Sequence, residues 1–457
     1  MRVFAVKWVC GTLRGAVPTG ALFTSAPAAS RVRKDNPREI FHENSLENHT
    51  LESEDIVMSE NEDCPGKSLM GKAVTGKPVT ECKDLNEVFQ ESLPAFGGAY
   101  LQRVYEVLKQ VIEQRIPLVI TCAGPVTVSD QHRAWLIPLM RAANTAYITV
   151  TDAICYHDGH DSLRQSAERP IRKVDLFGDD AKLREEGVIR VTDTGFEEQV
   201  LFDQDTVLTS ILQRPEFQKR MTTTERNYLL GKCYAEREKA LGIAPGLMST
   251  CAEMDLPVFI GAPADGSAFL NSVKLWTLKR LGKISYEFEY DLHEDVFESC
   301  AYHHWGLFES GPKAMAVMIL GGGVPKNYSL QPEPTLSQIF FLKDIRGYDF
   351  DAQIVSSPVT DGSLSSCWPG EAVSWGKVNP VGYQTRTVSM QGDYSSYMPF
   401  IVRALVGKEL LHNPPEPLRL YAQRDVLKEK LLQKIGGDEE TMRSILATLS
   451  MPDVLKA

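Results

Sequence analysis

From about residue 84 onward, short apolar runs alternate with polar or glycine-rich segments. The runs are LVIT (118–121), AYITV (146–150), PVFIG (257–261), AMAVMIL (314–320), IVSS (354–357) and RTVSM (386–390). Their length and β-branched content predict buried strands. Leu101, Val104, Leu108, Val111 and Ile112 recur at helical spacing until Pro117 breaks the pattern. NSVKLWTLKRLG (271–282) and EDVFESCAYHHWGLF (294–308) are amphipathic in the same way. Continuous apolar strands alternating with helices predict an α/β fold, a mostly parallel sheet with helices on both faces. In such sheets ligands sit beyond the carboxyl ends of the strands.

The ends of the chain differ in texture from this body. Residues 1–38 carry Arg2, Lys7, Arg14, Arg31, Arg33, Lys34 and Arg38 against the single acid Asp35, and residues 39–63 turn acidic and polar. Residues 1–65 are therefore expected to be a tail. A disordered lead-in, a targeting peptide and a true start near Met58 all fit that composition. A body over 66–412 follows, and 413–457, opened by Pro414–Pro415 and rich in Leu, Lys and Arg, reads as a helical extension without chemistry.

The formal net charge of −11 argues against nucleic acid or an anionic membrane surface as partner. No apolar run approaches the ~20 residues of a membrane span. Nine cysteines without a CxxC pair read as free thiols of a reducing, cytoplasmic compartment.

Five predicted strand ends carry small, polar or acidic groups. They are GGGVPKNYSLQ (321–331), APADGSAFLN (262–271) with Asp265, and TDAICYHDGHD (151–161) with Tyr156 and His157. PVTDGSLSSCWPGEAVSWGK (358–377) and QGDYSSYMPF (391–400) with Asp393 complete the set. The glycine triplet fits a tight turn and a close backbone approach to a ligand equally well. His157 and His160 stand three apart, but no cysteine or carboxylate set completes a metal site, so no metal is expected. Lys377 follows Trp375, with Glu371 six residues earlier. A surface lysine is one reading of this arrangement. The other is an amine kept neutral against an apolar ring so that it can form an imine, with Glu371 shuttling a proton or holding an amine.

ILGGGVPKN (319–327), TDGSLSS (360–366) and EAVSWGK (371–377), in this order and spacing, resemble the deoxyhypusine synthases from roughly residue 66 to 405. The resemblance implies a Rossmann-like, NAD-dependent aminobutyl transferase, a homotetramer with active sites between paired subunits. In that chemistry the four-carbon unit of spermidine is held as a Schiff base on a lysine, here Lys377. Trp375 would wall the polyamine site and Glu371 would bind an ammonium. Gly322, Glu371, Ser374 and Trp375 would line the substrate cleft, while Asp265, Ser356, Gly392 and Asp393 would contact NAD.

Departures from the family pattern point to a branch. Leu270 and Leu364 stand where those enzymes place further acids. Asn327 replaces a histidine, and Tyr156–His157 replaces a double glutamate; Asn327 and His157 thus become candidate substrate contacts. The pattern is similar to the bacterial deoxyhypusine synthase-like branch, some members of which make homospermidine, so a small amine acceptor is expected. The alternatives are a true deoxyhypusine synthase acting on a translation-factor lysine and a silent regulatory subunit of a paralogue.

Overall fold

The computed structural model describes residues 73–165, 168–407 and 412–450, together with 71 and 410. The tail of residues 1–65 and the start near Met58 lie outside the described residues. In chain order the strands are β1 (Leu118–Cys122), β2 (Thr145–Val150), β3 (Arg172–Lys173), β4 (Val188–Val191), β5 (Thr194–Glu197), β6 (Arg220–Met221), β7 (Val258–Ile260), β8 (Glu289–Tyr290), β9 (Ala316–Leu320), β10 (Phe350–Val355) and β11 (Thr387–Gln391).

Six of them form the central sheet in the order β11-β10-β9-β1-β2-β7. Every neighbouring pair is parallel, with Ile120 opposite both Ile148 and Met318. The α/β fold with a parallel sheet is thus the observed one, and all six apolar runs contribute a strand. Alternation along the strands explains the two layers. Leu118, Ile120 and Met318 pack with Val104, Leu108 and Val111 of helix Phe96–Glu113. Val119, Val317 and Ile319 turn the other way, onto Tyr302 of helix Leu292–Phe308 and Leu427 and Leu431 of helix Leu420–Gly437. Both faces are therefore covered, as a fully apolar parallel strand requires.

Two features differ from the pattern reading. β10 begins at Phe350, four residues before IVSS, because Asp351 and Gln353 are buried inside it. A small antiparallel sheet, β3-β5-β4, and the pair β6-β8 also lie outside the predicted runs. These strands are too short and too polar for periodicity to reveal. Beyond residue 412 the chain folds as helices Leu420–Gly437 and Glu439–Ala447, the first burying Leu420, Leu427, Leu431 and Ile435. No helix among the described residues is long and apolar enough to cross a membrane.

Candidate functional site

The carboxyl ends of the strands are tied together by backbone. Gly321 and Gly322, which follow β9, both take φ of 65°, in the left-handed region that glycine occupies without strain. A Cβ on Gly322 would stand 2.2 Å from the Ala123 Cβ in the loop after β1, so only a bare backbone passes there. Gly321 N donates to the Ile354 carbonyl at 3.0 Å and Gly392 N to that of Val355 at 2.8 Å. The Tyr394 hydroxyl donates to the Ala123 carbonyl at 2.8 Å. Gly322, Ser356, Gly392 and Asp393 consequently share one end of the sheet. Ser356 and Asp393 are exposed there, and Asp393 caps helix Tyr394–Leu405 through one oxygen, accepting from Ser395 N at 2.9 Å. Asp265, also exposed, follows β7 at the opposite edge. Five strand steps of about 4.8 Å, roughly 24 Å, separate the two edges.

Lys377 sits elsewhere than the strand-end reading placed it. The segment after β10 turns back along helix Gly323–Leu330. Leu364 lies beside Gly323, Cys367 accepts from Lys326, and Gly376 rests on Glu333. Lys377 is then fastened by main chain to Tyr348, before β10 begins. Tyr348 N donates to the Lys377 carbonyl at 3.0 Å and Asn379 N to the Tyr348 carbonyl at 2.9 Å. Gly347 makes this possible, since a Cβ there would fall 1.9 Å from the Lys377 carbonyl carbon.

Glu371, Ser374, Trp375 and Lys377 come together around the short helix Pro369–Ser374. The Lys377 Nζ stands 5.8 Å from the Trp375 ring centroid and makes no ion pair among the described residues. Trp375 is 61% exposed in the single chain, so the dry wall expected from the sequence is not closed by this chain's described residues. Glu371 and Ser374 are exposed too, and Ser374 Oγ donates to the Glu371 carbonyl at 2.7 Å.

Beneath this loop lies a buried polar cluster that periodicity and motif reading missed. The Lys326 ammonium, 2% exposed, donates to Gln353 Oε1 at 2.9 Å and to the carbonyls of Cys367 at 2.7 Å and Ser365 at 3.4 Å. It pins the loop to β10. Burial lowers the Lys326 pKa, Asp351 raises it, and the nearby Lys377 charge lowers it further. Asp351 is buried with one carboxylate oxygen unpartnered, and burial pushes it up to about 7 against the opposing pull of Lys326. The available signal was an Asp and a Gln two apart on one strand face, opposite a lysine in PKN.

A stability prediction follows from this raised acid. Between the unfolded value of about 3.9 and about 7, the folded state holds the Asp351 proton more tightly than the unfolded chain does. That contribution is fully present below pH ~4 and is lost as pH rises through the folded value. Wild-type protein should therefore lose stability relative to Asp351→Asn between pH 4 and pH 7 in parallel urea titrations. A difference independent of pH would show that Asp351 is not protonated in the fold.

His157 belongs to a third group, on helix Asp152–Ser162. Its Nδ1 and the His160 Nε2 share a hydrogen bond at 2.8 Å, with His157 half-buried and His160 1% exposed, so the pair is not an open metal site on a helix surface. Burial lowers both imidazoles, His160 to about 3. Tyr156, His157, Leu270 and Asn271 line a cavity of about 380 Å³. Asp205 accepts there from the Tyr156 hydroxyl at 2.8 Å and from Asn271 at 2.7 Å. Asn327 is half-buried, one residue beyond Lys326. Among the described residues, Asp130, His132 and Asp161 bring three possible metal-ligand atoms together. Arg133 and Arg169 already occupy Asp161, so a cation would have to displace guanidinium.

Comparison with known proteins bears on all of these groups. The family model for deoxyhypusine synthase matches residues 84–405. The deoxyhypusine synthase-like protein of Nostoc punctiforme is 32% identical over 367 residues, covering 79% of this chain and 89% of that one. Its counterpart in Thermosynechococcus vestitus is 32% identical over 374 residues, with 80% and 88% covered. A Methanosarcina mazei protein named probable deoxyhypusine synthase 1 is 28% identical over 334 residues, with 73% and 94% covered. The matched span takes in the strand-end glycines, the buried lysine and the EAVSWGK helix alike, and by it this chain belongs to the deoxyhypusine synthase family, whose members are aminobutyl transferases.

Proposed function

We propose that the protein is an NAD-dependent aminobutyl transferase that takes its four-carbon unit from a polyamine such as spermidine, carries it as an imine on Lys377, and delivers it to a small amine. The observation that carries this reading is Lys377 itself. Its backbone is fixed at Tyr348, and its amine is free of ion pairs among the described residues and stands beside an indole face. A lysine amine must be free to attack if it is to form an imine.

The strand ends fit a dinucleotide. Asp393 and Asp265 are exposed carboxylates at strand ends, each of a kind that holds a ribose hydroxyl. NAD, when bound, supplies hydride acceptance and return. Ser356 and the bare backbone of Gly392 would face the same ligand. Glu371 would hold one ammonium of the donor, and Trp375 would exclude water once a second copy of the chain covers it, as in a homotetramer.

The acceptor follows from what the site lacks. Leu270 and Leu364 are 63% and 45% exposed and offer no charge to a triamine. A charged partner replaced by an apolar group typically costs ~1.5–3 kcal/mol. His157, Asn327 and Tyr156 are neutral polar groups that suit an acceptor with fewer charged nitrogens, giving homospermidine-type products. The test is incubation with NAD, mass-labelled spermidine and a panel of amines beside a translation-factor protein. The label should enter a small-molecule product. Label entering only a protein lysine would establish deoxyhypusine synthesis instead.

A further inference from the structure

We infer that Glu333 is the proton-holding partner of Lys377, taking the proton that the lysine must shed before it can attack and returning it afterwards. This rests on the reading of Lys377 as the imine-forming lysine. Glu333 is 6% exposed, and its Oε2 has no hydrogen-bond partner. Its carboxylate lies directly under Gly376. A Cβ on that glycine would stand 2.8 Å from both oxygens, and its φ of 78° requires glycine in any case. One peptide unit therefore separates the carboxylate's contact from Lys377.

The two charges also feel each other. Burial raises the Glu333 pKa, while Ser337 and the Lys377 ammonium pull it down. The other titratable groups around the loop are poorly placed for the task. Lys326 is a cation bound to three acceptors, and Asp351 lies beneath it inside β10. The Cys300 thiol, on the helix packed against Pro332–Pro334, is pushed up to about 12 and stays neutral, and Glu371 is exposed to solvent. Asn327 cannot exchange a proton at all.

The step balances without a further reagent. The two groups form no ion pair, so the proton is relayed by solvent water: an N–H bond of the Lys377 ammonium breaks onto that water as one of the water's own O–H protons passes to Glu333, leaving a neutral amine and a carboxylic acid. The reverse transfer occurs when an amine leaves the imine carbon.

The test reads Lys377 directly in the full-length protein, without polyamine. Reductive alkylation by butanal and cyanoborohydride, followed by peptide mass spectrometry, gives the pH midpoint of Lys377 reactivity. Glu333→Gln should move that midpoint down by roughly half a pH unit or more, because a neighbouring negative charge is lost. The same variant should lose roughly 10²-fold in kcat with KM for the donor nearly unchanged, and Glu333→Asp should recover part of the loss. An unmoved midpoint would overturn the proposal. A shifted midpoint in a protein that transfers no aminobutyl group would sustain the Glu333–Lys377 coupling and defeat the transferase reading alone. Should Glu333→Gln fail to fold, isotope-edited infrared of glutamate carboxyls in wild type and Lys377→Met gives the reciprocal reading. The Glu333 titration should rise when the lysine charge is removed, and an unchanged titration would equally overturn the proposal.

Discussion

Lys377→Ala protein should fold like the wild type and turn over no polyamine. The Lys377 side chain is half-buried and makes no ion pair among the described residues. Its removal should therefore cost no more than about 1 kcal/mol of stability. The chemistry is another matter. Without an amine no imine forms, and kcat should fall on the order of 10³-fold or more. Lys377→Arg should fail equally, because guanidinium keeps its charge and cannot become an imine nitrogen. The check is product formation from spermidine and NAD alongside thermal melts of the same samples. Substantial activity in either variant would remove Lys377 from the mechanism.

The second large effect concerns stability. Asp152, at the end of β2, and Arg226, on helix Thr223–Leu241, form an ion pair in which both side chains are 1% exposed. Asp152 also accepts from Ala268 N at 3.1 Å, at the start of the helix that follows β7. Gly266 has no room for a Cβ there, since one would fall 2.1 Å from the same carboxylate. The pair thus joins the ends of two strands to a third element. Arg226→Met leaves Asp152 buried and unpaired, which should cost about 3–5 kcal/mol in urea unfolding. The double variant Asp152→Asn with Arg226→Met should be less destabilised than the single one, because no uncompensated charge remains. A single variant as stable as wild type would show that the pair is not buried in solution.

The central sheet was readable because most of its strands are buried along their whole length and appear as mainly apolar runs. β9, AVMIL, is the clearest case. β10 shows where that logic stops. Asp351 and Gln353 look like solvent-facing residues, and only the arrival of Lys326 from a distant helix explains their burial. Charge compensation over 27 residues leaves no periodic trace.

The same limit governs the site. EAVSWGK drew attention to Lys377, but the path of the loop back along helix Gly323–Leu330 depends on Gly347 and Lys326, whose roles are contacts rather than patterns. His157 was visible as a polar residue after β2. Its sharing of a hydrogen bond with His160 was not, because an HxxH spacing is equally common on exposed helices.

The most direct test of the account is borohydride trapping during turnover. Protein, NAD and spermidine labelled with carbon-13 in its four-carbon arm would be quenched with borohydride, digested and mapped by mass spectrometry. A reduced four-carbon adduct is expected on the peptide containing Lys377, dependent on NAD. Product formation with no adduct there, or an adduct on another residue, would contradict it.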